Sequence, residues 1–106
     1  MSNPSRVVAD FLAAVGDPTR VELVRHLAEG DTTVGGLATA AGVDTVKTSH
    51  HLGVLRAAGM VDVRVAGRTR VYRLVARTLT TDRLTVRGPH GIEIGMPRRA
   101  ETSRGK

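Results

Sequence analysis

Two adjacent histidines, His50 and His51, lie in residues 43–61 (VDTVKTSHHLGVLRAAGMV), the stretch with the most helical pattern in the chain. Histidines of this kind can form a metal site, take part in acid–base catalysis or donate hydrogen bonds to another macromolecule. Consecutive side chains on a helix point about 100° apart, so adjacent histidines do not converge on one ion. Neither histidine has a His, Asp or Glu three or four positions further along. The spacing therefore disfavours a metal site within this helix.

The rest of the 106-residue sequence has no motif that indicates an enzyme or a metal-binding protein. There is no Ser/His/Asp arrangement, no glycine-rich phosphate loop and no pair of carboxylates with an evident catalytic role. The chain has no cysteine, which excludes thiolate metal sites, disulfides and thiol redox sensing. We therefore predict no catalytic residue, no cofactor and no metal ligand. A sensor whose His and carboxylate ligands meet across a subunit boundary remains an alternative.

The elements that must position the histidines are helical. Four helical segments are predicted before residue 60, the first two of them with a proline at the first turn and a glycine at the end. The third segment ends at Gly42, and Asp44 is a candidate N-cap of the fourth. A short helix, a three-residue turn containing glycine and a longer helix are typical of a helix-turn-helix. The residues predicted to face inward from the fourth helix are Val46, Leu52, Leu55 and Ala58.

After the fourth helix the apolar residues alternate. Residues 60–75 alternate around Gly67, which predicts a two-stranded hairpin, and a helix-turn-helix followed by a basic hairpin is a winged helix. Residues 76–82 have weak helical character, and residues 84–96 predict a second hairpin. We thus predict an α+β, mainly helical chain: a winged helix-turn-helix with its dimerisation helix at 1–75, a C-terminal extension at 76–96 and a basic disordered tail at 97–106.

Charge is distributed unevenly along a chain with a net charge of +6. Residues 44–75 carry six cationic side chains against only Asp44 and Asp62, whereas residues 1–43 carry more acidic than basic ones. This asymmetry favours a surface that meets a polyanion, although a solvated arginine-rich face is the alternative. No apolar run approaches the ~20 residues that span a bilayer, and the N-terminal residues lack a signal-peptide layout. An intracellular location is therefore predicted.

The start of the second helix of a helix-turn-helix points into the major groove of DNA. Thr and Ser hydroxyls can bond to base edges there, valine methyls can touch a thymine methyl, and histidine can donate to guanine N7. Thr48 could contact phosphate or be partly buried, and His51 could instead be a structural residue hydrogen-bonded under the wing. Arginines of the hairpin would neutralise phosphates or enter the minor groove. The predicted DNA-binding residues are Thr45, Val46, Lys47, Ser49, His50, Arg64, Arg68 and Arg70.

Two stretches of the sequence resemble a known family. Residues 15–30 (VGDPTRVELVRHLAEG) are similar to the second-helix signature of ArsR/SmtB-type bacterial regulators, and residues 35–74 are similar to their helix-turn-helix and wing. The resemblance covers about residues 5–75. It implies a winged-helix homodimer that binds an inverted-repeat operator in double-stranded DNA, usually as a repressor released by an effector. By position, the family's base-reading residues fall on Thr45, Val46, Ser49 and His50, and its wing contacts fall near Arg68 and Arg70.

Two departures from that family pattern affect what can be carried over. The family's thiolate metal motifs cannot exist without cysteine, and a β-like segment replaces the usual C-terminal helix that often builds the dimer. We therefore expect the first helix to carry much of a dimer interface through Val7, Val8, Phe11 and Leu12. The alternative for this stripe is the core of a single chain. An alternative function is a winged-helix interaction module that binds a protein or RNA.

Overall fold

The computed structural model describes residues 3–98 of the chain. Four helices come first, followed by two small antiparallel sheets. The predicted tail lies outside the described residues from position 99 onward. The elements are α1 Pro4–Val15, α2 Pro18–Ala28, α3 Val34–Ala41, α4 Thr45–Ala57, β1 Val61–Ala66, β2 Thr69–Leu74, β3 Arg77–Leu79, β4 Arg83–Arg87, a 3₁₀ turn at Pro89–Gly91, and β5 Glu93–Pro97.

Each helix begins at a side chain that caps its free backbone amides. Asp44 caps α4, as the sequence predicts, and Asn3, Asp17 and Thr33 cap α1, α2 and α3 in the same way. Gly42 ends α3 with a φ of 69°, a left-handed conformation that favours glycine. Only three residues separate α3 from α4, so the predicted helix-turn-helix is confirmed.

The core is aliphatic, as expected for a chain with only one Phe and one Tyr. Helix α2 lies at its centre, since Leu23, Val24 and Leu27 are fully buried. Burying such side chains contributes about 1.5–3 kcal/mol each relative to leaving them exposed, which is why the short helices hold together. The cluster continues through α4 and β1 into the C-terminal sheet by way of Leu52, Leu55, Met60, Val61, Leu74, Leu84, Val86 and Met96.

The hairpin of β1 and β2 is the predicted wing. Its register pairs Ala66 with Thr69, which leaves a two-residue loop at Gly67 and Arg68, and Gly67 has a φ of 65°. Thr32, from the segment between α2 and α3, joins the free edge of β2. Its backbone exchanges two hydrogen bonds with Tyr72, of 3.1 and 2.7 Å. The wing is therefore fixed to the helices, and the fold is a winged helix.

Residues 77–97 form a three-stranded antiparallel sheet in the order β3-β4-β5. The predicted second hairpin is confirmed, because β4 pairs with β5 from Arg87 opposite Glu93 to Arg83 opposite Pro97. The expectation of helical character at residues 76–82 was wrong, since Arg77–Leu79 is a strand. Three residues are too few to show a period of two, and this strand is held by its pairing with β4.

Candidate nucleic-acid interface

The start of α4 is fixed by contacts with Asp44. The Oδ1 atom of Asp44 accepts the backbone N–H of Lys47 at 2.8 Å, and the Thr48 hydroxyl donates to the Asp44 carbonyl at 2.9 Å. Thr48 is fully buried, and its hydroxyl is satisfied within its own helix. The structure thus places Thr48 in the core, where it cannot contact phosphate. The first turn of α4 is consequently a rigid support for the side chains that point outward.

Five predicted DNA-binding residues lie together on the exposed side of this first part of α4. The inward side is formed by Thr48, Leu52 and Leu55. Val46 was expected to face inward as well as to read bases; the inward placement is wrong, because Val46 is 81% exposed. A valine left in solvent at a helix start offers its methyl groups to an apolar partner. The exposed set is Thr45, Val46, Lys47, Ser49 and His50.

His51 occupies a different environment from His50. Its Nδ1 lies 3.1 Å from Nη1 of Arg20 in α2, and Arg20 Nε also donates to the carbonyl of Ala14 in α1. His51 is thus hydrogen-bonded within the fold, as in the structural alternative for this residue, and its partner lies on α2. Neighbouring Asp17 has a pKa below the ordinary value, chiefly because its carboxylate accepts the backbone N–H of Arg20 and also because Arg20 and His51 lie near it.

The wing separates its arginines between two faces. Residues opposite each other in an antiparallel pair share a face, and successive residues alternate. Arg70 pairs with Val65, on the face that continues inward to buried Val61. Arg64 pairs with Val71 on the opposite face. The arginines therefore cannot all meet one flat surface.

The cations of the wing also differ in their partners. Within residues 3–98, Arg64, Arg68 and Arg70 are exposed and form no ion pair or side-chain hydrogen bond. Arg73, by contrast, lies on the Arg64 face and is bound to Asp62 at 3.1 Å. That bond raises the pKa of Arg73. Arg68, in the loop, extends from the tip of the hairpin.

Sequence reasoning missed Arg20 as a part of this region. The residue stands in the Asp-Pro-Thr-Arg motif, but nothing in that motif indicates a partner 31 positions away on α4. Only the packing of α2 against α4 brings the two side chains together. Arg20 therefore connects α4 to α1 and α2.

The apolar stripe of α1 divides between the core and the surface. Phe11, expected at a dimer interface, is 1% exposed and packs inside its own subunit. Val7 and Val8 are half-buried, and Leu12 is 44% exposed. Val8 and Leu12 line a shallow apolar groove whose other residues are Pro4, Ser5 and Ala9.

The histidines and carboxylates of the described residues are scattered over the fold. Among residues 3–98, no three His, Asp or Glu side chains lie close enough together to hold a metal ion. His26 and Glu22 form a pair only: Nε2 of His26 lies 3.6 Å from the Glu22 carboxylate on the same helix. In the same part of the chain, none of the helices has the length and apolarity needed to cross a bilayer.

Comparison with known proteins gives consistent matches. The family model described as "Bacterial regulatory protein, arsR family" matches residues 17–63. The crystal structure of the transcriptional repressor BigR from Xylella fastidiosa is 36% identical, with a TM-score of 0.61, over 68% of this chain and 74% of that one. The crystal structure of Mycobacterium tuberculosis Rv0081 is 34% identical, with a TM-score of 0.63, over 71% of this chain and 77% of that one.

A third similar structure bears on assembly. A fragment of Mb0332 from Mycobacterium bovis, described as a homodimeric winged helix-turn-helix DNA-binding domain, is 30% identical with a TM-score of 0.64. The match covers 67% of this chain and 66% of that one. The chain spans 63% of the length of the curated Mycobacterium tuberculosis regulators it matches, at 33% identity. The family match ends at residue 63, before β2 and the C-terminal sheet.

Proposed function

Because the chain belongs to the ArsR family of bacterial regulatory proteins, we propose that it is a homodimeric repressor that binds an inverted-repeat operator in double-stranded DNA. Such a regulator acts in the cytoplasm, where bacterial DNA lies, and carries out no catalytic step. An effector releases it from the operator. Support for repression and for dimerisation comes from similar proteins described as a transcriptional repressor and as a homodimer.

The observation that carries this proposal is the exposed first part of α4. Its side chains are those that read bases in a helix-turn-helix, and they stand on a helix start that Asp44 and Thr48 hold in place. A buried or loosely held start would not present these groups to a groove in one orientation. The region also carries an excess of positive charge, which suits a partner made of phosphates.

Each of the five exposed side chains in the first part of α4 has a role that fits its chemistry. The hydroxyls of Thr45 and Ser49 bond to base edges, and the methyl groups of Val46 touch a thymine methyl. His50 donates to guanine N7 or to a phosphate. Lys47 holds the phosphate backbone beside the groove, because a lysine ammonium acts as a flexible point charge.

The wing binds the DNA phosphate backbone next to the groove that α4 enters. Arg68 at the tip and Arg70 on the helix-facing side of the hairpin neutralise phosphates or enter the minor groove. Arg64 points to the other side, so it contributes through longer-range attraction more than through contact. Affinity should consequently fall steeply as salt concentration rises.

Two subunits are needed to read an inverted repeat. We assign the interface to the accessible side of α1, through half-buried Val7 and Val8 and exposed Leu12, with the C-terminal sheet beside it. Phe11 supports this surface from inside the subunit. A two-fold dimer of this kind presents its two α4 helices about 34 Å apart, one turn of DNA.

Selection of bound sequences from a random DNA pool, followed by binding titrations, tests the proposal. We expect a palindromic consensus and nanomolar-range binding that weakens with salt. His50→Ala should lower affinity for the selected site and relax the preference at one position of each half-site. His90→Ala is the matched control, because His90 is also exposed but lies in the 3₁₀ turn near the C-terminus. Equal behaviour of the two variants would reject α4 as the reading face, and failure to bind any DNA at low salt would reject the repressor and favour an interaction module.

A further inference from the structure

The side chain of Arg20 joins three helices. Its Nε donates to the Ala14 carbonyl at the end of α1, and its Nη1 lies 3.1 Å from Nδ1 of His51 in α4. Its own backbone N–H donates to Oδ2 of Asp17 at 3.0 Å, which fixes the point on α2 from which the side chain extends. Arg20 is half-buried, and its side chain forms a bridge between the Ala14 carbonyl and His51.

The bridge requires one protonation state of His51. A guanidinium has donors only, so Nδ1 of His51 must accept the hydrogen bond from Arg20. An imidazole that accepts at Nδ1 is neutral and carries its proton on Nε2. A protonated ring would have no acceptor and would place a second positive charge at hydrogen-bond distance from Arg20. The bridge therefore exists only with neutral His51.

Several charged groups surround that ring. Arg20 from α2 is in contact with it and repels a positive charge there. Asp17, just before α2, lies near enough for its carboxylate and His51 to interact and would attract such a charge. Asp10 of α1 lines the neighbouring cleft together with Arg20, and His50 adjoins His51 on α4 itself.

His51 is in turn in contact with the reading face. The ring centroids of His50 and His51 are 5.8 Å apart, with planes inclined at 61°, an edge-to-face arrangement. His51 points towards α2, whereas His50 points outward. A change in the rotation of α4 that separates His51 from Arg20 must also turn His50 relative to the DNA.

We propose that Arg20 is a positioning residue for sequence reading, and that through neutral His51 it fixes the rotation of α4 and the orientation of His50. Protonation of His51 breaks the bridge and loosens the reading face, so base discrimination falls as the pH falls. This inference rests on the proposed DNA-binding function. Arg20 itself does not touch DNA, so its effect is on discrimination between sequences and not on phosphate binding.

Binding to the selected operator and to an unrelated duplex separates discrimination from phosphate binding. Arg20→Met should reduce the ratio of the two affinities about tenfold, the order of one good base contact, and leave affinity for the unrelated duplex nearly unchanged. His51→Gln keeps an uncharged acceptor, so it should preserve the ratio. Unchanged discrimination in Arg20→Met, or an equal loss of both affinities, would overturn the proposal. If Arg20→Met does not fold, His51→Leu removes the acceptor and gives the same comparison.

A pH series distinguishes positioning from simple packing. Discrimination by the His50→Gln variant should fall as the pH falls, because His51 is then the only histidine left on α4 and its protonation removes the acceptor for Arg20. Adding His51→Gln should abolish that fall. A double variant that keeps the full pH dependence would overturn the role of His51.

A measurement without DNA keeps this inference separate from the proposed function. NMR of the ring nitrogens in the full chain at neutral pH should show His51 with its proton on Nε2, and Arg20→Met should return it to a mixture of tautomers. Exposed His90 provides the control for a free ring. A proton on Nδ1 of His51 would overturn the bridge even if DNA is bound. If His51 carries its proton on Nε2 but the protein binds no DNA, the bridge is established and only the proposed repressor function is rejected.

Discussion

The ring of Phe11 in α1 lies directly over the backbone of Gly88, so close that a Cβ at position 88 would come within 2.6 Å of two ring carbons. Gly88 follows β4, and its amide donates to the Ile92 carbonyl at 2.9 Å as the chain turns towards β5. The C-terminal sheet is therefore packed onto the first helix and shares its core. A glycine is required at this point because no side chain fits between the ring and the turn.

Gly88→Ala should destabilise the protein. The added methyl group must displace the Phe11 ring or the turn, and overpacking of this kind costs about 1–3 kcal/mol. Gly53→Ala is the matched control, because Gly53 lies inside α4, where an added Cβ would meet no neighbouring atom within 4 Å. It should be neutral or stabilising by up to about 1 kcal/mol, since alanine favours helix. Urea unfolding of both variants tests the contact. An equal change in the free energy of unfolding for Gly88→Ala and Gly53→Ala would refute it.

Asp44→Ala should weaken both the fold and operator binding. The loss of the cap on α4 costs about 1 kcal/mol and frees the turn that carries Thr45 and Val46. Asp44→Ser should restore stability, because serine caps as well as aspartate. Thr33→Ala removes the cap of α3 at a similar cost and should leave base preference unchanged. Thermal unfolding and binding titrations measure the two effects, and a loss of preference in Thr33→Ala equal to that in Asp44→Ala would contradict the assignment.

The features that the sequence predicted are those decided by a few neighbouring residues. A cap such as Asp44 acts on an amide three positions away, and Gly67 sets its turn by its own backbone. The prediction that Val46 faces inward was wrong because α4 has apolar residues on more than one side. The spacing of these residues alone does not say which side of the helix meets the core. Strand β3 and the Arg20–His51 bridge depend on partners that only the folded chain brings together.

The two faces of the wing predict unequal roles for Arg70 and Arg64. If Arg70 neutralises a phosphate, Arg70→Ala should reduce the slope of log affinity against log salt by about 1. Arg64→Ala removes the same charge from the opposite face and should change the slope by less. Arg87→Ala is the control for the loss of one positive charge away from the wing, on the C-terminal sheet, where Arg87 pairs with Glu93 at 3.5 Å. Equal slopes for Arg70→Ala and Arg87→Ala would place the wing away from the DNA backbone.

The lowered pKa of Asp17 predicts that the folded protein loses stability in acid. Its pKa in the folded protein lies below the ordinary value for an aspartate, mainly because it accepts the backbone N–H of Arg20, so the charged form favours folding. This contribution is complete above the unfolded-state pKa and is lost as the pH falls through the folded-state pKa. Asp17→Asn keeps a capping side chain that does not titrate. The stability difference between the wild type and this variant should therefore shrink on acidification from about pH 6 to pH 2, and a constant difference in urea unfolding would contradict the role of the charge.

Substitutions at Leu12 and Phe11, neighbours on α1, should have different effects, because Leu12 lies in the proposed dimer interface and Phe11 in the core of the subunit. Leu12→Glu puts a charge into the exposed apolar groove, so it should yield a folded monomer that binds the full operator weakly. Phe11→Ala instead empties a buried site and should cost about 3–5 kcal/mol of unfolding free energy. Ala40→Glu places the same charge on the exposed side of α3 and should leave the dimer intact. Sedimentation velocity with thermal unfolding measures both effects, and a dimeric Leu12→Glu variant would move the interface from α1 to another surface, with the C-terminal sheet as the next candidate.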